Sequence, residues 1–244
     1  MITDFIGDLQ RILILTLVYV CAITPAGWFR AYVAKKMGDN TAEQMGLLTL
    51  SPLEHFDSMG YGFLIFSRYL FGNIIGWGRQ VPINKNNFNG PYGRLYYFVA
   101  LFSDVFMHLI LASFSIALVI MLFNPVAQIM LRNMALKLLF LGTAIASIDS
   151  AVIQSLPSSF SITIGYVLII FFYINIFFAV VSALSSFITA TMSYLSDRFN
   201  IEDYYPIVFI GVIIVAIFLG IFLRPLFNNY AILLGNKWAL FFKA

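Results

Sequence analysis

The sequence predicts an all-α, multi-pass membrane protein, a helical bundle of about five spans with a small insertion between the first two. Of its 244 residues, 61% are hydrophobic and only 10% are charged, whereas soluble domains carry about 25% charged residues. The mean hydropathy is +0.91. Several apolar runs exceed the roughly 20 residues that cross a bilayer. We therefore expect one membrane domain, residues 1–244.

The apolar runs place the spans at 10–34, 94–122, 133–155, 161–195 and 204–224. The first run follows acidic Asp4 and Asp8 rather than a basic segment, and no small-residue cleavage pattern ends it. It is therefore predicted to be a spanning helix and not a signal peptide.

The insertion, residues 37–93, is rich in Gly, Asn and Pro. Its short alternating pieces "MGLLTL" (45–50) and "QVPIN" (80–84) favour small β-strands. Between them, "GYGFLIFSRYLFGNIIGWG" is apolar but interrupted by Arg68 and glycines. It is too broken to span twice, so a re-entrant or interfacial element is expected.

Basic residues set the predicted orientation, because cytoplasmic loops collect Lys and Arg. With the N-terminus outside and the C-terminus inside, only Arg132 and Arg198 fall in outer loops, and Asp197 accompanies Arg198 there. The cytoplasmic side then holds Lys35, Lys36, Arg68, Arg79, Lys85, Arg94, Arg224, Lys237 and Lys243. The tail, residues 225–244, is expected either to lie at the membrane interface as an amphipathic segment or to form a solvated tail.

Three segments carry a family resemblance. They are "AGWFRAYVAKKMGDNTA" with the following "QMGLLTLSPLEHFDSMG", then "GWGRQVPINKNNFNGPYGRLYYFVAL", and last "INIFFAVVSALSSFITAT". In this order they resemble the site-2 proteases, the zinc intramembrane metalloproteases, and especially their short prokaryotic branch without a PDZ domain. The resemblance implies a site-2-protease-like bundle in a bacterial cytoplasmic (inner) membrane.

The sequence departs from the family at the positions that bind zinc and supply the general base. The family's H-E-x-x-H motif places two histidines on one helix face to bind Zn²⁺, with the glutamate as general base. Here the histidines fall on Ala26 and Arg30, the glutamate on Gly27, and the aspartate of the L-D-G motif on Ala190. The prolines beside that motif are replaced by Ser185, Phe187 and Ile188. An alanine methyl cannot bind a metal and a guanidinium repels one, so we expect no zinc, no other cofactor and no hydrolysis at this position.

A relocated metal site is the alternative. His55 and His108 are the only histidines, and His108 follows Asp104 by four positions, so both face one way on a helix. Two ligands make a weak site, since zinc prefers at least three from the protein. The family's helix after V-A-L begins A-G-P-x-x-N, and whether its asparagine falls on Met107 or on His108 stays open.

Arg30 raises a separate question, because an arginine within an apolar span requires a partner or water. One interpretation is that it snorkels to the cytoplasmic headgroups. Our hypothesis is that Arg30 pairs with Asp104, so that an ion pair replaces zinc between two helices. Asp149 in the third predicted span is the second candidate partner.

The leading functional hypothesis is a pseudoprotease that serves as scaffold, accessory subunit or binding partner for other integral membrane proteins. Small residues would let helices approach closely, and an open strand edge would accept an extended segment; the small residues are Gly142, Ala144, Ala146 and Ser147. The competing hypothesis is an intramembrane zinc protease with relocated ligands. A small-solute transporter ranks last, because no halves repeat and few charges lie within the spans.

Overall fold

The computed structural model describes residues 2–70, 75–139 and 159–198, with isolated positions between 211 and 240. Its helices are α1 (Ile2–Lys36), α2 (Thr41–Gln44), α3 (Pro52–His55), α4 (Ser58–Leu70), α5 (Gly93–Leu122), α6 (Pro125–Leu139) and α7 (Ser159–Arg198). A 3₁₀ turn occupies Lys85–Asn87. No strand occurs within these described ranges, which agrees with the predicted all-α class.

Three helices are long and apolar enough to cross a membrane: Leu9–Lys36, Gly93–Leu122 and Ser161–Arg198. They confirm the first, second and fourth predicted spans as helices of that kind. The third predicted span, 133–155, begins within α6 and continues outside the described residues. The fifth, 204–224, lies outside them except at Gly211. The count of five spans therefore stays a prediction.

α1, α5 and α7 pack together, and α5 runs antiparallel to the other two. Ser186 near the end of α7 donates to the Leu101 carbonyl near the start of α5, at 2.6 Å. Towards the other end, Ser115 donates to the Leu168 carbonyl at 2.5 Å. Their shared core is apolar, with Tyr19 fully buried within it. Burial of this kind is what fixes the relative positions of the three helices.

The prediction of small strands in the insertion is wrong. Residues 45–50 and 80–84 are irregular. Gly46 has a φ of 75° and turns the chain directly after α2, while Pro82 has no amide hydrogen to give to a ladder. The Asn84 amide donates instead to the Asp39 carboxylate at 2.8 Å. Turns and side-chain acceptors thus replace the ladder that strands would need.

α4 covers residues 60–70 of the apolar stretch that was expected to be re-entrant or interfacial, and residues 71–74 of that stretch lie outside the described residues. Its 13 residues span about 20 Å, less than the hydrocarbon core. The Tyr61 hydroxyl lies 2.6 Å from Thr16 Oγ1, and Tyr19 donates to the carbonyl of Trp77, where the chain returns. α4 therefore packs against the middle of the apolar part of α1.

The prediction that Asp197 and Arg198 lie on the opposite side of the membrane from the insertion is wrong. Lys85 in the insertion contacts Asp197 at 2.5 Å, so α7 ends at the same end of the bundle as the insertion. At the opposite end, a Cβ on Gly165 would lie 2.6 Å from the Phe123 ring, so α7 begins where α5 finishes. Hydropathy measures the length of an apolar run and not the path of the chain, which is why the prediction failed.

The tail, 225–244, is described only in part. Its described residues between 226 and 240 are helical, and Leu226, Tyr230, Leu233 and Leu240 are exposed. Exposed apolar side chains suit an interfacial helix, and that location stays a prediction, as does the orientation of the termini.

Candidate functional site

The residues that match the family's zinc-binding helix line a small cavity between α1, α5, α7 and residues 77–81. Ala26, Gly27 and Arg30 line it from α1, and Asp104 and His108 from α5. From α7 it is lined by Phe178, Val181 and Ser182, with Trp77 and Gly78 among the loop residues. The cavity volume is about 50 Å³, room for one or two water molecules at about 30 Å³ each.

α1 presents Ala26 and Arg30 on one face, because residues four apart on a helix lie one turn above the other. Ala26 is 2% exposed and Arg30 is 5% exposed. Pro25, inside the same helix, has no amide hydrogen for the carbonyl one turn earlier. The helix thus carries both positions that were matched to the family's histidines into the cavity, and neither side chain is a metal donor.

The structure brings Arg30 and Asp104 together. Arg30 Nη1 donates to Asp104 Oδ2 at 2.9 Å, with side-chain exposures of 7% and 13%. Asp104 Oδ1 accepts the amide of Val105 at 3.0 Å. Arg30 is buried, so the snorkelling interpretation is wrong. The second candidate partner, Asp149, lies outside the described residues.

His108 is held by a hydrogen bond within the bundle. Its Nδ1 lies 2.9 Å from Asn175 Oδ1, and the Asn175 amide nitrogen donates to the Phe171 carbonyl at 2.9 Å. Because the asparagine oxygen is left to face the ring, His108 donates through Nδ1. Met107 is only half-buried and does not line the cavity, so His108 is the residue of the two that faces it.

His55 fills the space beside Gly27, the position of the family's glutamate. A Cβ built on Gly27 would lie 2.3 Å from His55 Nδ1. His55 is 1% exposed, its Nε2 lies 2.8 Å from the Thr49 carbonyl, and its Nδ1 has no hydrogen-bond partner in the described part of the chain. Any side chain at position 27 would therefore require the imidazole to move.

The side chains present do not fit a zinc ion at this position. Within the described ranges, no three His, Cys, Asp or Glu side chains are grouped so that they could hold one metal. Asp104 is paired with Arg30, His108 with Asn175, and His55 lies outside the cavity lining. The guanidinium remains protonated and would repel a divalent cation.

Ala190, the position of the family's aspartate, is not near the other three. It lines a different cavity with Lys85 and Tyr194, eight residues beyond Ser182 and so about 12 Å further along the helix axis. α7 continues without a break to Arg198, since Ser185, Phe187 and Ile188 stand where the family has prolines that interrupt a helix. The residue-by-residue match did not indicate that Ala190 lies this far from Ala26, Gly27 and Arg30. The absence of the prolines was the available indication that the helix continues unbroken.

A buried carboxylate that was not among the predicted site residues joins the two ends of the insertion, residues 39–41 and 84–87. Asp39 is fully buried and accepts bonds from the amide and hydroxyl of Thr41, from Asn87 Nδ2 and from the amide of Asn84. Burial alone raises its pKa, but these hydrogen bonds outweigh burial and lower the pKa below the ordinary 3.8. The D-x-T pattern at 39–41, which favours a side-chain turn, was the available signal.

Comparison with known proteins gave one local match. A segment of 84 residues, 34% of this chain, is 34% identical to 35% of the Bacillus subtilis (strain 168) protein named "Putative zinc metalloprotease YwhC". The match thus spans about a third of that relative's length. No family model matches the chain, and no solved structure matches it. The chain is therefore locally similar to a protein named as a zinc metalloprotease, and it has helices able to span a membrane.

Proposed function

We propose that this chain is a catalytically inactive, site-2-protease-like membrane protein that binds other integral membrane proteins as a scaffold or accessory subunit. The local similarity to the B. subtilis protein and the three long apolar helices support the membrane scaffold. One observation chiefly supports the proposed inactivity. The Arg30 guanidinium, paired with Asp104 at 2.9 Å, lies at a position that matches a metal ligand of the family.

The ion pair opposes metal binding in two ways. A guanidinium stays protonated at any accessible pH, so it places a fixed positive charge where a Zn²⁺ ion would have to bind. Moving Arg30 away would leave Asp104, whose side chain is only 13% exposed, without its counter-charge, at a cost that is large for buried pairs. Ala26 beside it supplies no donor atom.

The general base is missing for a steric reason as well as a chemical one. Hydrolysis on zinc needs a carboxylate that accepts a proton from the attacking water. Gly27 has no side chain, and the His55 ring occupies the space that one would need. Asp104, the carboxylate that lines the cavity, is engaged by Arg30.

The cavity is also too small for peptide hydrolysis. At about 50 Å³ it accommodates water, whereas a bound substrate segment requires a cleft of several hundred cubic ångströms. Phe178 and Val181 of the unbroken α7 close it on one side. A protein partner therefore binds elsewhere, and the exposed apolar faces of the spanning helices are the surfaces available.

Two such faces are regular stripes with a spacing of four residues. On α1 the stripe contains Leu9, Leu13 and Leu17, and on α5 it contains Phe106, Ile110 and Phe114, each more than 40% exposed. A stripe at this spacing presents one side of a helix to lipid or to another helix. The strand edge first expected to bind partners is not formed, and the small residues at 142–147 lie outside the described residues.

The test combines a metal count with site-specific crosslinking. The full chain is purified from its native membrane in mild detergent, and zinc is counted on that sample. A photoreactive amino acid is placed in separate samples at Leu17, at Ile110 and, as a control inside the bundle, at Ser182, which is half-buried and lines the cavity. We expect far less than one zinc ion per chain and a crosslink to one membrane protein from a stripe position but not from Ser182.

Two results would overturn the proposal. Crosslinks to lipid alone from both stripes would remove the scaffold role. Zinc close to one ion per chain, lost in both Asp104→Ala and His108→Ala, would establish the alternative of a protease with relocated ligands.

A further inference from the structure

A second cavity, of about 760 Å³, lies at the end of the bundle where α5 begins and α7 ends. The first turns of α5, the last turns of α7 and the 3₁₀ turn of the insertion form its walls. It is much larger than the cavity at Arg30 and shares none of its lining residues. We call it the terminal cavity.

The terminal cavity carries excess positive charge. Lys85, Arg94 and Arg198 line it, and Asp197 is the one acidic residue among its lining residues. Lys85 pairs with Asp197 at 2.5 Å. Arg94 and Arg198 are exposed and form no ion pair with any described residue. Two guanidinium groups are therefore available to an anion.

The remaining walls are aromatic. Phe88, Tyr97, Phe98 and Tyr194 line the terminal cavity, and Phe98 and Tyr194 are 47% and 63% exposed. Tyrosines beside charged residues at the ends of apolar helices are typical of the boundary between hydrocarbon and water. α5 and α7 are both long and apolar enough to cross a membrane, so this cavity lies where their apolar segments end.

We propose that the terminal cavity binds the headgroup of an anionic phospholipid. Arg94 and Arg198 would hold the phosphodiester, because a guanidinium matches phosphate oxygens with two parallel hydrogen bonds. The exposed rings of Phe98 and Tyr194 would contact the glycerol and the first acyl carbons. Basic pockets between spanning helices on the cytoplasmic side recognise such headgroups. The site does not depend on whether the chain hydrolyses peptide bonds.

The test is native mass spectrometry of the full chain in detergent after delipidation, titrated with phosphatidylglycerol or phosphatidylcholine. The wild-type protein should prefer phosphatidylglycerol. Arg94→Gln/Arg198→Gln should weaken phosphatidylglycerol binding about 30-fold, since each cation near the surface contributes about 1 kcal/mol. The matched control, Lys35→Gln/Lys36→Gln, removes two exposed charges at the same end of the bundle but outside the cavity and should bind like wild type.

A third arm separates a lipid from a free anion. An excess of inorganic phosphate should leave phosphatidylglycerol bound, because phosphate has no apolar part to contact the aromatic walls. Complete displacement by phosphate would overturn the lipid assignment in favour of a free-anion site. Equal affinity of wild type for the two lipids, or an equal loss in the cavity variant and the control, would overturn the proposal altogether.

Discussion

Removing the carboxylate of Asp104 should destabilise the protein strongly, although the change deletes only a few atoms. Asp104→Ala leaves the Arg30 guanidinium, whose side chain is 7% exposed, without a counter-charge. Arg30 Nε already has no hydrogen-bond partner among the described residues, so no second acceptor is in place. Breaking a buried pair from one side typically costs about 3 to 5 kcal/mol.

Removing the charge of Arg30 instead should destabilise the protein less. After Arg30→Met, the Asp104 carboxylate keeps the hydrogen bond from the Val105 amide at 3.0 Å, so we expect the free energy of unfolding to fall by about 1 to 3 kcal/mol. The double variant Arg30→Met/Asp104→Leu replaces both charges by apolar groups, which is often close to neutral. The two changes should therefore be strongly non-additive.

The apparent melting temperatures of the wild type, the two single variants and the double variant measure this non-additivity. They are followed by tryptophan fluorescence in one detergent. At about 2 to 4 °C per kcal/mol for a chain of this size, Asp104→Ala should melt about 6 to 20 °C below wild type. The double variant should recover most of that loss. If the single variants melt like wild type, or if the double variant loses the sum of the two single losses, the ion pair does not hold the helices together.

Two further predictions concern the surroundings of the site. Gly27→Ala should lower the free energy of unfolding by about 1 to 3 kcal/mol through overpacking, because the added Cβ would lie 2.3 Å from His55 Nδ1. The control, Gly62→Ala, places its Cβ in open space and should melt at or above the wild-type temperature. Equal melting temperatures of the two variants would contradict the packing of His55 against Gly27. For Asp39, the lowered pKa means that its contribution is complete above pH 3.8 and is lost as the pH falls through the lower, folded-state pKa. The Asp39→Asn variant should melt below wild type at pH 7, with a difference that shrinks below pH 3.8; a constant difference would show that the charge of Asp39 is unimportant.

The elements that the sequence predicted well are those set by local properties. The spans at 10–34, 94–122 and 161–195 follow from run length and hydropathy, and each falls within a longer helix. The contact between Arg30 and Asp104 could also be predicted from the sequence, because an arginine in an apolar run needs an anionic partner and few carboxylates lie within the spans.

The features that could not be predicted from the sequence depend on contacts between residues far apart in the chain. Asp39 bonds to Asn84, 45 positions away, and this bond removes an amide from the expected strand. The end at which α7 finishes is visible only from its contact with Lys85. His55 and Gly27 lie on separate elements, and nothing in their sequence spacing indicates that one fills the space beside the other.

The absence of zinc from this site is tested by counting zinc ions per chain on the wild-type protein and on the Ala26→His/Arg30→His variant. Both positions face one cavity with Asp104, so the variant would offer zinc three protein ligands, the usual minimum for a site. We expect almost no zinc on the wild-type protein and close to one ion per chain on the variant. Zinc close to one per chain on the wild-type protein would contradict it.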